Sequence, residues 1–378
     1  MNENPIINEY TKQSKDELIN LIKALCAIPS FSHHELKKAE FIQDWFKQYN
    51  IKTYIDEKYN VILPINDEGS NELVVFMAHI DTVFPDESGF ECKEDGDYLY
   101  APGVGDDTAN VALLMLIARY LCLNAYTCDR GCLIVFNSCE EGLGNLDGSK
   151  YLHETYQGRI KECYSLDLGY DAIIAKAVGS IRYRITIKTE GGHSFSNFGN
   201  DNAIAIASKM ISELYHYQVP KTSTSTYNVG VIEGGTSVNT IAQNVAFLFE
   251  YRSDSQKDLL KMKCDFEHFI TKYQTMGYDI NVEVIGERPS MGDVGEVRMH
   301  EIIDSVACII EHYSHHKPTI LSGSTDLNSS YSLGIPGCCF GGYLGKGEHT
   351  KEEYILISSL ETGMKIVMHY MLQFFKKC

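Results

Sequence analysis

The chain contains no run of about 18 uninterrupted apolar residues, so no membrane-spanning helix is expected. Its start, MNENPIINEYTKQSKDELINLIKALC, lacks a basic stretch followed by a long apolar one, and no signal peptide is expected. It has no C-x-x-C: the 12 cysteines are scattered, and Cys338 and Cys339 are adjacent and cannot easily bridge to each other. That usage predicts reduced thiols in a cytoplasmic protein, packed mostly as small hydrophobes, and argues against a cysteine-ligated zinc site. Basic residues are the minority, 33 against 51 acidic, for a formal charge of -18. Nucleic acid and anionic membrane surfaces are therefore disfavoured as partners, because both are bound through lysine and arginine. Small substrates are not restricted, since a local site can oppose the net charge. No internal repeat and no low-complexity linker is visible.

What is present is ample apolar material, 44% of 378 residues, enough for two domains. Ser14 followed by Glu17 reads as a capping box opening a helix with Leu18, Leu21, Ile22 and Leu25 on one face. A second helix is expected over residues 35–49, then strands over 52–55 and 60–65, and the apolar run from Leu73 that ends at His79. Residues 111–123 are nearly all apolar, as a helix packed under a sheet should be, and buried strands are expected over 130–136 and 164–168. This alternation predicts an α/β fold, a mainly parallel sheet with helices on both faces. After about Val178 the order becomes strand, helix, strand, strand, helix, strand, which is the ferredoxin-like βαββαβ unit. The expected organisation is residues 1–178 and 291–378 as one domain, with 179–290 inserted into it.

The chemistry gathers at strand ends. His79, Ile80 and Asp81 follow one apolar strand, and a glycine-rich loop then delivers Asp106 and Asp107 just before a helix. In open α/β sheets ligands sit beyond the C-terminal strand ends, so an imidazole and three carboxylates converge there. An ordinary alternative is a satisfied core histidine with Asp107 capping the next helix. Glu140 and Glu141 follow the strand CLIVFNSC, Asp167 ends the next strand, and His349 lies in the loop GGYLGKGEHTKEEY. Adjacent acids at a strand end can reach different targets, one a metal and the other a proton. His79, Asp106, Glu141, Asp167 and His349 form a nitrogen and oxygen donor set that suits zinc, cobalt or manganese. Five such donors exceed what one open catalytic zinc needs and suit two metals sharing a carboxylate.

H-x-D, G-x-G-D-D, E-E-G, a lone aspartate and a late G-x-G-x-H-T, in that order around an inserted βαββαβ domain, resemble the co-catalytic zinc exopeptidase and deacylase family. Its members include peptidase T, carboxypeptidase G, aminoacylase and succinyl-diaminopimelate desuccinylase. The resemblance covers nearly the whole chain and implies two divalent metal ions, zinc first and cobalt or manganese as alternatives. It implies that Asp106 bridges the metals, with a cis bond to Asp107, that His79 and Asp167 hold one and that Glu141 and His349 hold the other. It makes Asp81 the partner of the second ring nitrogen of His79, and Glu140 the general base that activates a metal-bridging water. In the inserted domain it makes His193 the oxyanion stabiliser, supplied by the partner subunit in dimeric relatives, and matches Asn239 and Arg252 to positions that hold a substrate carboxylate. For the last two a turn residue and a surface ion pair remain ordinary readings. Gly323 and Asp326, in SGSTDLNSS, match a loop that approaches the substrate and read equally as a helix start.

The family's Asp-Asp-Lys-Gly is here Asp106-Asp107-Thr108-Ala109, so a lysine is missing beside the site, and the proline that often follows G-G-H-S is replaced near Asn197. Neither departure touches a ligand. A dinucleotide loop at Gly103-x-Gly105 is disfavoured because two aspartates would face the pyrophosphate. A two-carboxylate glycosidase leaves both histidines without a task. A catalytically silent binding protein on the same fold should have lost the base or a ligand, and all are present. The expectation is a metal-dependent amide hydrolase, an exopeptidase on short peptides, with an N-acyl-amino-acid deacylase as the alternative and a homodimer formed through the inserted domain.

Overall fold

A computed structural model of the chain describes residues 4–85 and 88–377. Met1 to Glu3, the beginning of the stretch read for an export signal, lie outside the described residues. The chain divides into two compact units, Met1–Lys176 with Asp293–Cys378, and Ala177–Gly292.

The first unit is built on an eight-stranded sheet. Its four central strands, Cys132–Asn137, Leu73–His79, Ile160–Ser165 and Gly337–Cys339, are mutually parallel. Val61–Ile65 and Tyr54–Ile55 extend it antiparallel on one side, and Ala172–Ala177 pairs antiparallel with Gly337–Cys339 on the other. Every residue of Leu73–His79 is buried. Because successive side chains point to opposite faces, the sheet is covered on both. The helix Asn110–Leu123 is buried from Asn110 through Ala118, as its apolar sequence demands. Within the core Phe76 stacks on Tyr164 at 5.1 Å and meets Tyr370 and Phe374 edge-on.

The first turn of the chain departs from the capping-box reading. A helix Pro5–Gln13 precedes Ser14, capped by Asn4, whose Oδ1 accepts the Ile6 N–H. Ser14 has helical backbone (φ −87°, ψ −4°), makes no side-chain cap bond, and joins this helix to Lys15–Cys26. An N-cap needs extended backbone, and Ser14 cannot supply it while its own N–H bonds Tyr10. The strand expected to reach Leu168 ends instead at Ser165, and Leu168 itself has φ 64°, which breaks an extended run. A second small sheet in this unit joins Lys93–Asp95, Tyr98–Tyr100, Tyr354–Leu356 and Gly345–Lys346. Strands of two or three residues carry too little period to be read from sequence.

The second unit follows the order read from sequence: Gly179–Lys188, Ala203–Leu214, Ser225–Gly234, Asn244–Ser253, Gln256–Thr275 and Asp279–Arg288. Its four strands form one antiparallel sheet in which Gly179–Lys188 lies between Asn244–Ser253 and Asp279–Arg288, and Ser225–Gly234 forms an edge. Ile181, Ile185, Ile187 and Phe247 on one face pack with Met210 and Phe266 of the two helices into a separate core. A short ribbon pairs Gly192–His193 with Thr240–Ile241.

Candidate metal centre

Three parallel strands end at the same edge, and each is followed by an acid or a histidine. His79 closes the middle strand, Glu140 and Glu141 follow Asn137, and Asp167 follows Ser165. The loop before the helix Asn110–Leu123 brings Asp106 and Asp107, joined by a cis peptide bond. His349 arrives from the turn before Tyr354–Leu356. Cys139, Leu168 and His349 adopt left-handed backbone at φ 61°, 64° and 62°. Such non-glycine conformations cost roughly 1–3 kcal/mol each and persist where the surroundings over-determine them.

The side chains meet. His79 Nε2 lies 3.0 Å from Asp106 Oδ1, and His349 Nε2 lies 3.3 Å from Asp106 Oδ2 and 3.2 Å from Glu141 Oε2. Each oxygen of Asp106 thus faces a different imidazole. Candidate donor atoms fall within 4.8 Å of one another in three groups: Asp106, Glu141 and His349; His79, Asp107 and Asp167; and His79, Glu140 and Glu141. None of these groups includes a cysteine. Asp107 enters one group by proximity alone, for its oxygens are engaged by protein donors: Oδ2 accepts the His79 N–H at 3.0 Å and Oδ1 the Asn110 amide at 2.7 Å. Asp106 is therefore the carboxylate whose two oxygens face outward to the cluster, and Asp107 braces it.

Asp81 ties the elements together. Its Oδ1 accepts the Glu140 N–H at 3.0 Å, and its Oδ2 accepts the Glu141 N–H at 2.9 Å and the Ser32 hydroxyl at 2.7 Å. The other ring nitrogen of His79, Nδ1, lies 3.1 Å from the Asp81 carbonyl oxygen and 3.4 Å from its carboxylate, which directs Nε2 toward Asp106. One aspartate orients the histidine and both glutamates.

The electrostatics are those of anions held too close. Asp106, Asp107, Glu140, Glu141 and Asp167 are all buried, while His349 is exposed. Burial, then the neighbouring Asp106 charge, pushes Asp167 up to about 7, and burial raises Asp107 and Glu141 as well. Burial opposes protonation of His79, but the bonds from Asp106 and Asp81 hold its pKa well above the usual value. His349 is pushed up to about 11 by its bonds to Asp106 and Glu141. Burial works against ionisation of Asp106, yet His349 and His79 hold it below the usual carboxylate range. Glu141 Oε1 is buried without a hydrogen-bond partner. A buried anionic oxygen without a donor, within reach of two imidazoles and other carboxylates, fits a bound cation. Nitrogen and oxygen donors of this kind suit zinc, cobalt or manganese.

Of the residues expected to approach substrate, His193, Asn239 and Arg252 lie in the second unit and Gly323 and Asp326 in the first. His193 is exposed in the short ribbon, and its Nδ1 accepts the N–H groups of Phe195 and Ser196 at 3.2 and 3.4 Å. That leaves Nε2 as the ring donor. Asn239 is exposed beside it: its carbonyl accepts the Ser194 N–H at 3.0 Å and its Oδ1 the Ser237 hydroxyl. The Arg252 fork bonds Glu250 of the same strand at 3.0 and 3.1 Å, which is the ion-pair reading. Asp326 begins the short helix Leu327–Ser332 but makes no cap bond. The stretch does start a helix, with the Thr325 hydroxyl accepting the Leu327 N–H at 3.3 Å, while Asp326 itself is buried and accepts the Asn137 amide at 2.6 Å, beside the end of the Cys132–Asn137 strand.

Two residues escaped the sequence reading. Asn110 links Asp107 to Leu168 and Gly342, and Glu353 reaches the loop that carries Asp106. For Glu353 a signal existed: Glu353, Ile355 and Ile357 are buried while Glu352, Tyr354 and Leu356 are not, a period of two in which the glutamate falls on the inward face.

Acids and histidines at the C-terminal edge of a parallel sheet, with an oriented pair of glutamates, define a metal-dependent hydrolase centre. The chain matches peptidase family M20/M25/M40 over residues 75–373 and belongs to that family; it is a metal-dependent amide hydrolase. It is 23% identical over 366 residues to a succinyl-diaminopimelate desuccinylase of Corynebacterium glutamicum, covering 93% of this chain and 95% of that protein. Its fold is similar to that of aminopeptidase PepT from Bacillus cereus, with TM-score 0.71 and 21% identity, covering 94% of this chain and 97% of that one. It is also similar to a Bacillus subtilis protein described as a dinuclear metal binding peptidase from the M20 family, with TM-score 0.64, 17% identity and 96% and 99% of the two chains covered.

Proposed function

We propose that the protein is an exopeptidase acting on short peptides with two divalent cations, zinc or alternatively cobalt or manganese. Asp106 would serve both cations, His79 and Asp167 the first, Glu141 and His349 the second. The observation that carries this reading is the placing of two imidazoles on opposite oxygens of Asp106. Bound there, the cations supply Lewis-acid activation of water and polarisation of the scissile carbonyl.

The chain's own groups do the rest. Glu140 is the general base: it takes a proton from the attacking water and delivers it to the leaving amine, a contribution of about 10²–10⁴-fold. Asp81 holds Glu140 in place through its backbone N–H and keeps His79 in the tautomer whose Nε2 is available as a donor of electrons. His193, with Nε2 as its free donor, is the candidate for stabilising the developing oxyanion. Asn239 and Arg252 are candidates for the substrate carboxylate, which requires the Arg252 fork to exchange Glu250 for the ligand. The inserted unit is assigned as lid and dimerisation domain. No helix of the described residues is long and apolar enough to cross a membrane, and their cysteines are free, in keeping with a cytoplasmic enzyme.

The second reading is deacylation of an N-acyl amino acid, favoured by the desuccinylase relative. A single panel separates the two: zinc-loaded and chelated protein assayed on di- and tripeptides and on N-acetyl and N-succinyl amino acids. The account expects chelator-sensitive release of terminal residues from peptides. Cleavage of the acyl amino acids alone would move the protein to the deacylases.

A further inference from the structure

The glycine-rich loop ahead of Asp106 does not hold its shape unaided. Gly103 has left-handed backbone at φ 69°, and a Cβ at Gly105 would sit 2.8 Å from the Tyr343 ring, so the backbone passes where side chains cannot. The N–H groups of Gly103, Gly105 and Asp106 all point inward, where each needs an acceptor. One carboxylate takes all three: Glu353 Oε2 accepts from Gly103 at 2.6 Å, and Oε1 accepts from Gly105 at 2.9 Å and Asp106 at 2.8 Å. The Glu353 carbonyl also accepts the Ala101 N–H at 3.2 Å, and the residues after it pair with Tyr98–Tyr100. Glu353 is 1% exposed. Successive N–H groups converging on one anion form a nest, here with the anion supplied by the protein itself.

An anion buried beside other anions is a poor choice if the task is only to close a loop, since a backbone carbonyl or an asparagine could accept the same bonds. What the carboxylate adds is reach and two oxygens in one plane. It holds the Asp106 N–H together with those of Gly105 and Gly103 ahead of it, and it stands four residues after His349. We infer that Glu353 is a positioning residue of the metal centre, locking the Asp106 backbone so that the carboxylate presents one oxygen to each histidine and registering Asp106 against His349. This rests on the two-cation reading, with Asp106 and His349 as ligands.

The test is zinc binding, followed by competition with a chromophoric chelator, in the wild type, Glu353→Gln and the exposed neighbour Glu352→Gln, together with the thermal midpoint of each metal-free protein. Gln keeps the size and one oxygen acceptor, so the fold is expected to survive. Supporting tissue around ligands typically controls metal affinity by roughly 10–100-fold. The inference expects Glu353→Gln to weaken the more loosely held zinc by that factor, with a metal-free midpoint close to that of wild type and no change in Glu352→Gln. Wild-type zinc affinity in Glu353→Gln overturns the inference while leaving the two-cation reading intact. A loss of affinity matched by an equal loss of metal-free stability assigns Glu353 to the fold alone and also overturns it. A wild type that binds fewer than two zincs overturns the two-cation reading and the inference with it.

Discussion

Asp106, Asp107, Glu140, Glu141 and Asp167 are buried side by side, and the imidazoles of His79 and His349 lie 3.0 and 3.3 Å from Asp106. The linkage has a definite sign. Asp167 sits at about 7 in the fold against a usual 3.8, so between those values the folded chain holds the proton that the unfolded chain has released. Stability from this group therefore falls as pH rises. His349, held up to about 11 from 6.5, acts in the same direction: its contribution is full below its unfolded pKa and is lost on the way to the folded one. The metal-free protein is expected to unfold at lower urea as pH rises from about 5 to about 8, and the zinc-loaded protein to lose less, since metal ligation requires the deprotonated forms. A metal-free midpoint that climbs over this range contradicts the electrostatic account. At this scale the sequence revealed which residue types gather, because strand ends announce themselves by the apolar runs before them. Residue types and spacing alone did not separate Asp106 from Asp107, a distinction that came from the family resemblance; in the fold it rests on which carboxylate meets the His79 N–H and the Asn110 amide. Nor could they show that the Arg252 fork is engaged by Glu250, a contact two residues away on the same strand face.

Among the elements, those with a sustained period were legible and those without were not. The helix Asn110–Leu123 and the strand Leu73–His79 are apolar almost throughout, and the alternation of the inserted unit reproduces its six elements in order. The ribbon at Gly192–His193 and the small sheet through Tyr354–Leu356 have two or three residues per strand, and the latter sheet is what brings Glu353 to the Asp106 loop. The helix Pro5–Gln13 was missed because Ser14 and Glu17 spell a start at a place where the chain is already helical. In the inserted unit the edge strand Ser225–Gly234 leaves Val231 and Ile232 46% and 51% exposed. Exposed apolar edges invite pairing, so a homodimer through this strand is expected. Sedimentation should give twice the 42.6 kDa chain mass, and Ile232→Lys should halve it; a wild-type mass of one chain contradicts the assignment.

For the molecule as a whole, every candidate metal ligand lies in the first unit, while the residues proposed for substrate, His193, Asn239 and Arg252, lie in the second. The first was readable in outline because a parallel sheet gathers the residues after its strands at one edge, whatever their distance in sequence. The choice between peptide and acyl-amino-acid substrates was not, because both reactions use the same centre. The central claim is that Glu140 moves the proton while its neighbour Glu141 and His349 hold metal. Its most direct test is zinc content and turnover measured together in Glu140→Gln, Glu141→Ala and His349→Ala. The account predicts two zincs per chain and a loss of turnover of about 10²-fold or more in Glu140→Gln, with zinc lost in the other two. Full turnover in Glu140→Gln, or undiminished zinc in both of the others, would contradict it.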